Sequence, residues 1–308
     1  MQSAPILIVA FNQPKRLARL LTSLKEVSPT SLRISIDGPR GVADQPATDA
    51  CRDLAEEIDW IEDLEVWYRT ENLGISRGIP AAVNRVFEQF DRVLVLEDDV
   101  TVGPQALPFV THCLSEFENN PHIFSISAYN SVPEDVLSSP EDPVRTSRVM
   151  SSYAWGTWKD RWQKFDSNMT WFRNQKTKYL SNVLGSREAA IRWRQHCRYV
   201  RKNLVDCAAY RWNMSTWEFD GYSIVPNQNL VEYHGMDDGT HTRRHRRWSE
   251  LPVGQIDLSQ ILDCSAEELV DWRAESFFHR KAQRASWGNI LLGPLEEGAL
   301  RLQQRGWI

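Results

Sequence analysis

The sequence contains no CxxC pair, no long apolar run and no internal repeat. Its five cysteines are scattered and odd in number, which argues against a zinc site or a disulfide framework and is typical of a reducing compartment. No apolar run approaches the roughly 18 residues that span a bilayer. The first residues lack the basic region and apolar core of a signal peptide. We therefore expect a cytoplasmic protein and leave open a peripheral contact at the inner face of the membrane.

The composition is that of an ordinary globular protein. The 308 residues are 42% hydrophobic and 25% charged, and the chain is long enough to bury a large core. The net charge of −5 argues against non-specific binding of nucleic acid by the whole molecule. The unusual feature is the presence of 13 tryptophans, whose flat amphipathic rings line sugar and nucleotide sites but also pack in ordinary cores.

Strand and helix patterns alternate along the first half of the chain. Apolar runs predict strands, and apolar residues at helical spacing predict the helices between them. This alternation is typical of an α/β fold with a mostly parallel sheet and helices on both faces. The pattern loosens after residue 128, so residues 131–148 are expected to form a long loop, and no strand is expected from residue 241 onward. The predicted strands are 6–11, 32–36, 64–68, 93–96, 123–128 and 222–225, and the predicted helices are 14–24, 47–58, 80–90, 104–118, 186–204 and 206–219.

Three adjacent carboxylates, Glu97-Asp98-Asp99, directly follow the apolar run Val93–Leu96. Like charges repel, and clustering them near a core is costly unless a positive group lies close by. Mg²⁺ and Mn²⁺ prefer carboxylate oxygens and also bind substrate phosphates. Because ligands of open α/β sheets bind at the carboxyl ends of the strands, we expect a divalent metal and a phosphate here. A solvated acidic turn is the alternative.

Other charged residues are candidates for the same site. Asp37 ends the second predicted strand, so its side chain should reach the same edge of the sheet, although an Asx turn before Gly38 would also explain it. Arg16 and Arg77 could each pair with a phosphate or lie on the surface. The basic run Arg243–Trp248 could bind donor phosphate, a lipid-linked acceptor at an anionic membrane or an acidic glycan, or form a solvated basic face.

Six stretches, in this order, resemble the motifs of GT-A-fold glycosyltransferases. The nearest likeness is to the inverting N-acetylglucosaminyltransferase I family and the related bacterial family-2-like sugar transferases. The resemblance implies a GT-A (Rossmann-like) catalytic domain over residues 1–242. A C-terminal helical extension over 243–308 would then shape acceptor binding or oligomerisation. The stretches are Ile6–Asn12 with Arg16, Ile34–Asp37, Glu97–Pro104, Ser125–Asn130, Ala154–Trp158, and Val205–Cys207 followed by Trp212.

The resemblance also implies a role for each matching residue. The acidic triplet corresponds to the DXD motif of the family, in which Asp99 would bind Mn²⁺ or Mg²⁺. His241, in a later loop, could complete the metal shell or contact the diphosphate, with a merely exposed histidine as the alternative. Trp155 and Gly156 would form a wall behind the donor sugar, with core packing of the tryptophan as the alternative. The implied nucleotide-binding residues are Phe11, Arg16, Asp37, Arg77 and Asp98, and the implied donor-sugar residues are Glu97, Trp155 and Gly156.

The resemblance makes Asp206 the catalytic base, because the family position is a carboxylate shortly before a helix that carries a tryptophan, here Trp212. The family often has two adjacent acids at this point, whereas Cys207 follows here, so Glu218 and Asp220 remain alternatives. A helix-capping role for Asp206 would also explain it and is compatible with catalysis.

The sequence therefore predicts a metal-dependent, inverting glycosyltransferase with a nucleotide-diphospho-sugar donor, expected to be a UDP-sugar. The acceptor would be a hydroxyl of a glycan, of a lipid-linked molecule or of another compound, with no nucleic-acid partner. Retention of configuration and a homo-oligomer stay open. Two rivals remain. A sugar-phosphate nucleotidyltransferase would need a glycine-rich phosphate loop, which Ala10–Pro14 lacks, and a non-catalytic nucleotide- or carbohydrate-binding module would need no base.

Overall fold

The computed structural model describes residues 4–234, 251–262 and 270–304. Its centre is an eight-stranded sheet, and a second sheet has two short strands. Numbered along the chain, the strands are β1 (Ile6–Ala10), β2 (Ser31–Ile36), β3 (Asp63–Tyr68), β4 (Arg92–Glu97), β5 (Val100–Val102), β6 (Ile123–Ser127), β7 (Val144–Ser147), β8 (Ala154–Trp158), β9 (Tyr222–Pro226) and β10 (Val231–Tyr233). In space the large sheet has the order β3-β2-β1-β4-β8-β6-β9-β7, and β5 pairs with β10.

Six of the eight strands run in the same direction. β3, β2, β1 and β4 pair in parallel, as do β6 and β9. The two reversed strands are β8, which lies antiparallel between β4 and β6, and β7, which is antiparallel to β9. The prediction of a mostly parallel sheet is confirmed.

Helices cover both faces of this sheet, as the alternation predicted. Successive residues of β1 point to opposite faces, so Ile6 and Ile8 pack in one cluster and Leu7 in another. Helices over residues 14–27, 45–56 and 106–116 contribute to the first cluster, and helices over residues 75–86 and 208–218 contribute to the second. The helices are α1 (Pro14–Val27), α2 (Gln45–Glu56), α3 (Ile75–Val86), α4 (Ala106–Glu116), α5 (Lys159–Trp162), α6 (Thr170–Asn174), α7 (Thr177–Val183), α8 (Arg187–Arg201), α9 (Ala208–Glu218), α10 (Trp272–Lys281), α11 (Trp287–Leu291) and α12 (Gly293–Gln304).

The later helices form a layer beside the sheet. A third apolar cluster joins α6, α7, α8 and α9, and Ala285 and Phe278 from the C-terminal part pack into it. The guanidinium of Arg192 in α8 forms a two-pronged ion pair with Glu296 in α12, at 2.6 and 2.9 Å. None of the described helices is long and apolar enough to cross a membrane.

Among the differences from the sequence prediction, three concern α3, β7 and β8. α3 begins at Ile75 rather than at residue 80, and Pro80 lies inside it, because the start of this helix is set by a contact with a distant part of the chain. The segment 131–148 is not only a loop, since it contains the edge strand β7. Residues 154–158 form β8, a strand that is buried along its whole length. The partner of β7 follows about 80 residues later in the sequence, so no local pattern indicated the pairing.

Candidate active site

The carboxyl ends of β1, β2 and β4 lie side by side because these strands are adjacent and parallel. Phe11 follows β1, Asp37 follows β2, and β4 ends in the acidic triplet. The predicted site residues of three separate segments therefore meet at one edge of the sheet. This is the edge at which open α/β sheets bind their ligands.

Asp98 connects the triplet to the first strand. Its carboxylate accepts a hydrogen bond of 3.2 Å from the backbone N–H of Phe11. Burial, and then the negative charge of Asp99, raise the pKa of Asp98 to about 7, although the Phe11 bond and the charge of Arg16 act in the opposite direction. Arg16 is buried in the first turn of α1, so the structure brings its charge close to the triplet.

Glu97 lies on the other side of the triplet. Burial and repulsion by Asp99 raise the pKa of Glu97 well above its usual range, even though a hydrogen bond from Ser152 favours its charged form. Tyr153 and Tyr233 lie close by, with ring centroids 4.2 Å apart, and the charges of Glu97 and Asp99 contribute to the raised pKa of both phenols after burial. The phenols are therefore neutral hydrogen-bonding groups beside the carboxylates.

The small sheet of β5 and β10 brings a distant segment to the triplet. β5 directly follows the triplet and pairs antiparallel with β10. The backbone N–H of His234, which follows β10, donates a 2.7 Å hydrogen bond to the carbonyl oxygen of Asp99. The His234 ring lies 2.7 Å from the hydroxyl of Thr101. Tyr233, His234, Ser152 and Tyr153 were not among the predicted site residues. The short apolar–polar–apolar run Val231–Tyr233 is a weak local signal for Tyr233, and no local pattern indicates the other three.

The triplet fits a hard divalent cation by its chemistry. No group of three or more His, Cys, Asp or Glu side chains converges on one point among the described residues. Mg²⁺, however, is usually held by one or two carboxylates together with waters and substrate phosphates, so a complete protein cage is not required. Burial is the largest cause of the raised pKa values of Glu97 and Asp98, and repulsion by Asp99 is the second, so a cation bound here would favour their charged forms.

Asp37 organises the loop that leads into α3. Its carboxylate accepts bonds of 2.9 and 3.1 Å from Leu73 N–H, 2.9 Å from Gly74 N–H, 3.0 Å from Gly38 N–H and 3.0 Å from the amide of Asn72. The bond from Gly38 is the turn contact that the sequence offered as the alternative. The other three extend across the sheet edge, so Asp37 shapes the site whether or not it also contacts a nucleotide.

Asp206 caps α3, a helix other than its own. Its two carboxylate oxygens accept bonds of 2.7 Å from Ile75 N–H and 2.8 Å from Ser76 N–H. In return the hydroxyl of Ser76 accepts a 2.9 Å bond from Cys207 N–H. Gly74 has φ of +69°, and a Cβ at that position would collide with the Asp206 carboxylate. Asp206 is nevertheless exposed, at the same sheet edge as the triplet.

The two alternatives to Asp206 lie at the opposite edge of the sheet. Glu218 ends α9 and Asp220 precedes β9, whose direction is that of β4. Residues before a strand lie at its amino end, and five residues of strand span about 16 Å. Asp220 is also paired there with Arg148, at 2.6 Å. Neither carboxylate reaches the triplet, so Asp206 is the candidate base that the geometry retains.

Trp155 and Gly156 are explained by packing. Trp155 is 2% exposed, and its ring lies 5.9 Å from that of Trp162 and 6.4 Å from that of Trp212. A Cβ on Gly156 would lie 2.7 Å from a methyl of Val110, so this glycine allows α4 to approach β8 closely. The alternative of core packing therefore accounts for both positions, and we do not include them in the site.

The remaining predicted residues lie at the rim or outside the described part. Arg77 is in the first turn of α3 with its guanidinium exposed, and its Nε donates to the carbonyl oxygen of Leu73. The Phe11 ring is half-buried, and the guanidinium of Arg40 lies 5.0 Å from its centre. Predictions for His241 and Arg243–Trp248 lie outside the described residues.

Solved structures resemble this chain only at low sequence identity. No curated protein matches the chain significantly. Solved structures that resemble it include mouse xyloside xylosyltransferase 1 in its apo form (11% identity, 71% of this chain, 82% of that chain, TM-score 0.35). A second is a UDP-glucose pyrophosphorylase complexed with UDP-glucose (10% identity, 73% of this chain, 90% of that chain, TM-score 0.39). A third is the inositol-1-phosphate CTP transferase of T. maritima (11% identity, 73% of this chain, 86% of that chain, TM-score 0.37). These TM-scores are too low to carry an argument.

The sequence model described as glycosyl transferase family 2 matches residues 6–195. This segment contains β1 to β8 and therefore the strand ends that hold Phe11, Asp37 and the acidic triplet. The narrower resemblance to N-acetylglucosaminyltransferase I stays a prediction. Because the match spans more than half of the sequence and includes Phe11, Asp37 and the acidic triplet, the chain is a glycosyltransferase and belongs to glycosyl transferase family 2.

Proposed function

We propose that this glycosyltransferase is metal-dependent and inverting, and that it transfers a sugar from a UDP-sugar to a hydroxyl of a glycan or lipid-linked acceptor. The observation that carries the proposal is the position of the acidic triplet. It lies at the carboxyl edge of the sheet, directly beside the end of β1, with the charge of Arg16 close to Asp98. A nucleoside diphosphate needs both positive charge and hard oxygen ligands for a bridging cation, and this edge offers residues for each.

Asp99 is the residue that would hold Mn²⁺ or Mg²⁺, with Asp98 beside the ribose or the waters of the metal, and His241 would add a ligand from the part outside the described residues. When bound, the cation would act as a Lewis acid on the diphosphate leaving group. Phe11, Arg16, Asp37 and Arg77 would bind the nucleotide or orient its loop, and Glu97 would contact the donor sugar. Glu97 is supported in this role by its position between Ser152 and the two tyrosines.

In the reaction, the acceptor hydroxyl oxygen attacks the anomeric carbon while the bond from that carbon to the phosphate oxygen breaks. UDP leaves with the electron pair of that bond, and Asp206 takes the proton of the acceptor hydroxyl. Attack from the face opposite the phosphate inverts the anomeric configuration. Asp206 is supported in this role by its exposure at the ligand edge, and the bonds from Ile75 and Ser76 hold its carboxylate in one orientation.

The remaining parts of the proposal concern the C-terminal region and the setting. We propose that residues 243–308 form an extension to a catalytic domain of residues 1–242, and that the extension shapes acceptor binding or oligomerisation. A cytoplasmic location, with membrane contact through Arg243–Trp248, is part of the same proposal. The helices α10, α11 and α12, which lie within residues 272–304, are consistent with a helical extension.

The test is nucleotide binding by calorimetry and by thermal shift, with UDP, CDP, GDP and UDP-sugars, each with Mn²⁺ and with EDTA. Wild type should bind UDP at least tenfold more tightly with Mn²⁺, and Asp99→Asn should lose this difference. Asp91→Asn is the matched control, because Asp91 is an exposed acid that precedes β4 at the other end of the strand. Binding that is indifferent to metal and to Asp99 would overturn the proposed metal site. Absence of binding by any nucleotide would overturn the donor class.

A further inference from the structure

A cavity of about 210 Å³ lies next to the acidic triplet on the side away from Asp37. Along the sheet edge, β2 and β1 come first, then β4 with the triplet, and then β8 and β6. The cavity is bounded by the residues after β6 and before β8, including Tyr129 and Tyr153. Any molecule whose diphosphate lies at the triplet and whose base lies near β2 would therefore extend its other end towards this cavity.

The opposite walls come from helices that lie mostly beyond the family match. Tyr210 and Asn213 of α9 form one side, and Phe278, Ala282 and Gln283, at the end of α10, form another. The family segment ends at residue 195. The part of the chain after the family match therefore contributes about half of the enclosure.

The lining is aromatic and polar but uncharged. The described residues that line the cavity include four tyrosines, one tryptophan and one phenylalanine, together with serines, an asparagine and a glutamine, and no acidic or basic side chain. Flat rings pack against the C–H face of a pyranose, while hydroxyl and amide groups exchange hydrogen bonds with its hydroxyls. A charged group would lose its hydration here without gaining a partner, which is costly.

The walls are held in place by a network of hydrogen bonds that is partly buried. The hydroxyl of Tyr210 lies 2.6 Å from Nδ1 of His196 and donates a 2.9 Å bond to the Gln283 side-chain oxygen. Across the cavity, the side-chain oxygen of Asn213 accepts a 2.8 Å bond from the backbone N–H of Met150. These bonds join α8, α9 and the segment after α10 to the sheet edge. The cavity is therefore a preformed site.

We propose that this cavity binds one uncharged saccharide ring beside the acidic triplet, and that α9 and the end of α10 give the site its preference for neutral sugars. The inference rests on the proposed function, which it deepens by naming the substrate class. The volume lies below the roughly 300–1,000 Å³ of pockets for larger ligands, so it fits a single ring. A uronic acid or a lipid diphosphate is excluded from it. The ring belongs either to the donor or to the acceptor, and the experiment separates these sources.

The experiment fills the cavity from the α10 side with Ala282→Leu and Ala282→Trp, and uses Lys281→Trp as the matched control because Lys281 is exposed on the adjacent position. Thermal unfolding checks that each variant folds, and the leucine variant carries the test if the tryptophan variant does not. Calorimetry with Mn²⁺ measures binding of UDP, UDP-glucose, UDP-N-acetylglucosamine and UDP-glucuronic acid. Transfer assays measure KM for methyl glycosides of neutral hexoses and of glucuronic acid.

If the ring is that of the donor, the filled variants bind UDP as wild type does but bind the neutral UDP-sugar at least tenfold more weakly. If it is that of the acceptor, UDP-sugar binding and slow donor hydrolysis stay unchanged, while KM for the neutral glycoside rises at least tenfold. The inference is overturned if the filled variants change neither quantity, or if wild type accepts the uronate as well as the neutral sugar. Failure of wild type to bind any UDP compound is a different result, which overturns the proposed donor and the inference with it.

Discussion

The backbone N–H of Ile75 donates a 2.7 Å hydrogen bond to the carboxylate of Asp206, a residue 131 positions later in the sequence. The contact joins the first turn of α3 to Asp206, two residues before α9, and so links the two helices that cover one face of the sheet. A carboxylate is favoured at a helix N-terminus, where the unpaired N–H groups and the helix dipole are positive. The candidate base is thus held in position by a helix from another part of the chain.

Asp206 is both the candidate base and the cap of α3, and kinetics and thermal unfolding of one variant can separate these two roles. Asp206→Asn should lower kcat by about 100-fold or more, the usual contribution of a general base, at a temperature well below the melting transition. The melting temperature should fall by only a few degrees, because the amide oxygen can still accept one of the two bonds and a lost cap costs about 1–2 kcal/mol. Steady-state kinetics and thermal unfolding measure the two effects on the same samples.

The matched control is Ser76→Ala, which removes the bond from Cys207 N–H and so loosens the same junction while leaving the carboxylate in place. Its melting temperature should fall by a similar amount with kcat nearly unchanged. Equal losses of kcat in the two variants would mean that Asp206 acts only through the position of α3. Glu218→Gln, at the opposite edge of the sheet, should leave kcat unchanged.

Asp37 should control the local stability of the loop before α3. Asp37→Ala removes the acceptor of the Leu73 and Gly74 amides, and an unsatisfied donor costs about 1–3 kcal/mol. Amide hydrogen exchange at these two residues should therefore become at least tenfold faster, measured by mass spectrometry or NMR. Asp37→Asn, which keeps one acceptor oxygen, should show a smaller change. Exchange that is unaffected by Asp37→Ala would show that other contacts hold the loop.

Much of the architecture follows from short-range patterns in the sequence. The apolar runs predict six of the eight strands of the large sheet, and the Glu97-Asp98-Asp99 run after the fourth predicts the carboxylate cluster at the ligand edge. Each of these signals is contained within a few consecutive residues. Because parallel strands align their carboxyl ends, the approach of Phe11 to Asp98 also follows from the order of the strands.

The features that could not be predicted depend on contacts between distant residues. The true start of α3 is fixed by Asp206, whereas the local rule that places proline in a first turn indicated Pro80. Tyr233 reaches the site only because β10 pairs with β5, which is more than 100 residues earlier. A tryptophan next to a glycine has the same local pattern in a sugar site and in a core, and only packing distinguishes them.

Gly156 should serve the packing of α4 against β8 rather than the donor site. Gly156→Ala should lower the free energy of unfolding by about 1–3 kcal/mol, because the added methyl overlaps Val110 and the sheet and helix must separate slightly. The KM for the donor should stay unchanged below the melting transition. Urea unfolding and donor kinetics make the two measurements. Gly41→Ala is the control, since a Cβ there meets nothing within 4 Å. An increase in donor KM without a loss of stability would restore the donor-wall role.

A buried histidine should make the stability of the helical layer depend on pH. His279 in α10 is 2% exposed, and burial lowers its pKa from 6.5 to about 4. Its Nδ1 accepts a bond from the indole N–H of Trp193, which requires the neutral ring at that nitrogen. The facing acid is Glu275, whose nearest oxygen is 3.8 Å away and whose own pKa burial raises. Between pH 6.5 and 4 the unfolded chain therefore binds a proton at this residue that the folded chain does not.

Because the unfolded state binds more protons in this pH window, His279 lowers the free energy of unfolding as the pH falls from 6.5 towards 4. Between pH 7 and pH 5 the contribution is about 2 kcal/mol. Urea unfolding of wild type and His279→Gln at both pH values measures it, since other titrating groups cancel in the difference between the two proteins. Wild type should lose about 2 kcal/mol more than the variant, and His122→Gln, on an exposed residue, should behave as wild type. Equal losses in wild type and His279→Gln would mean that His279 is protonated in the fold and paired with Glu275.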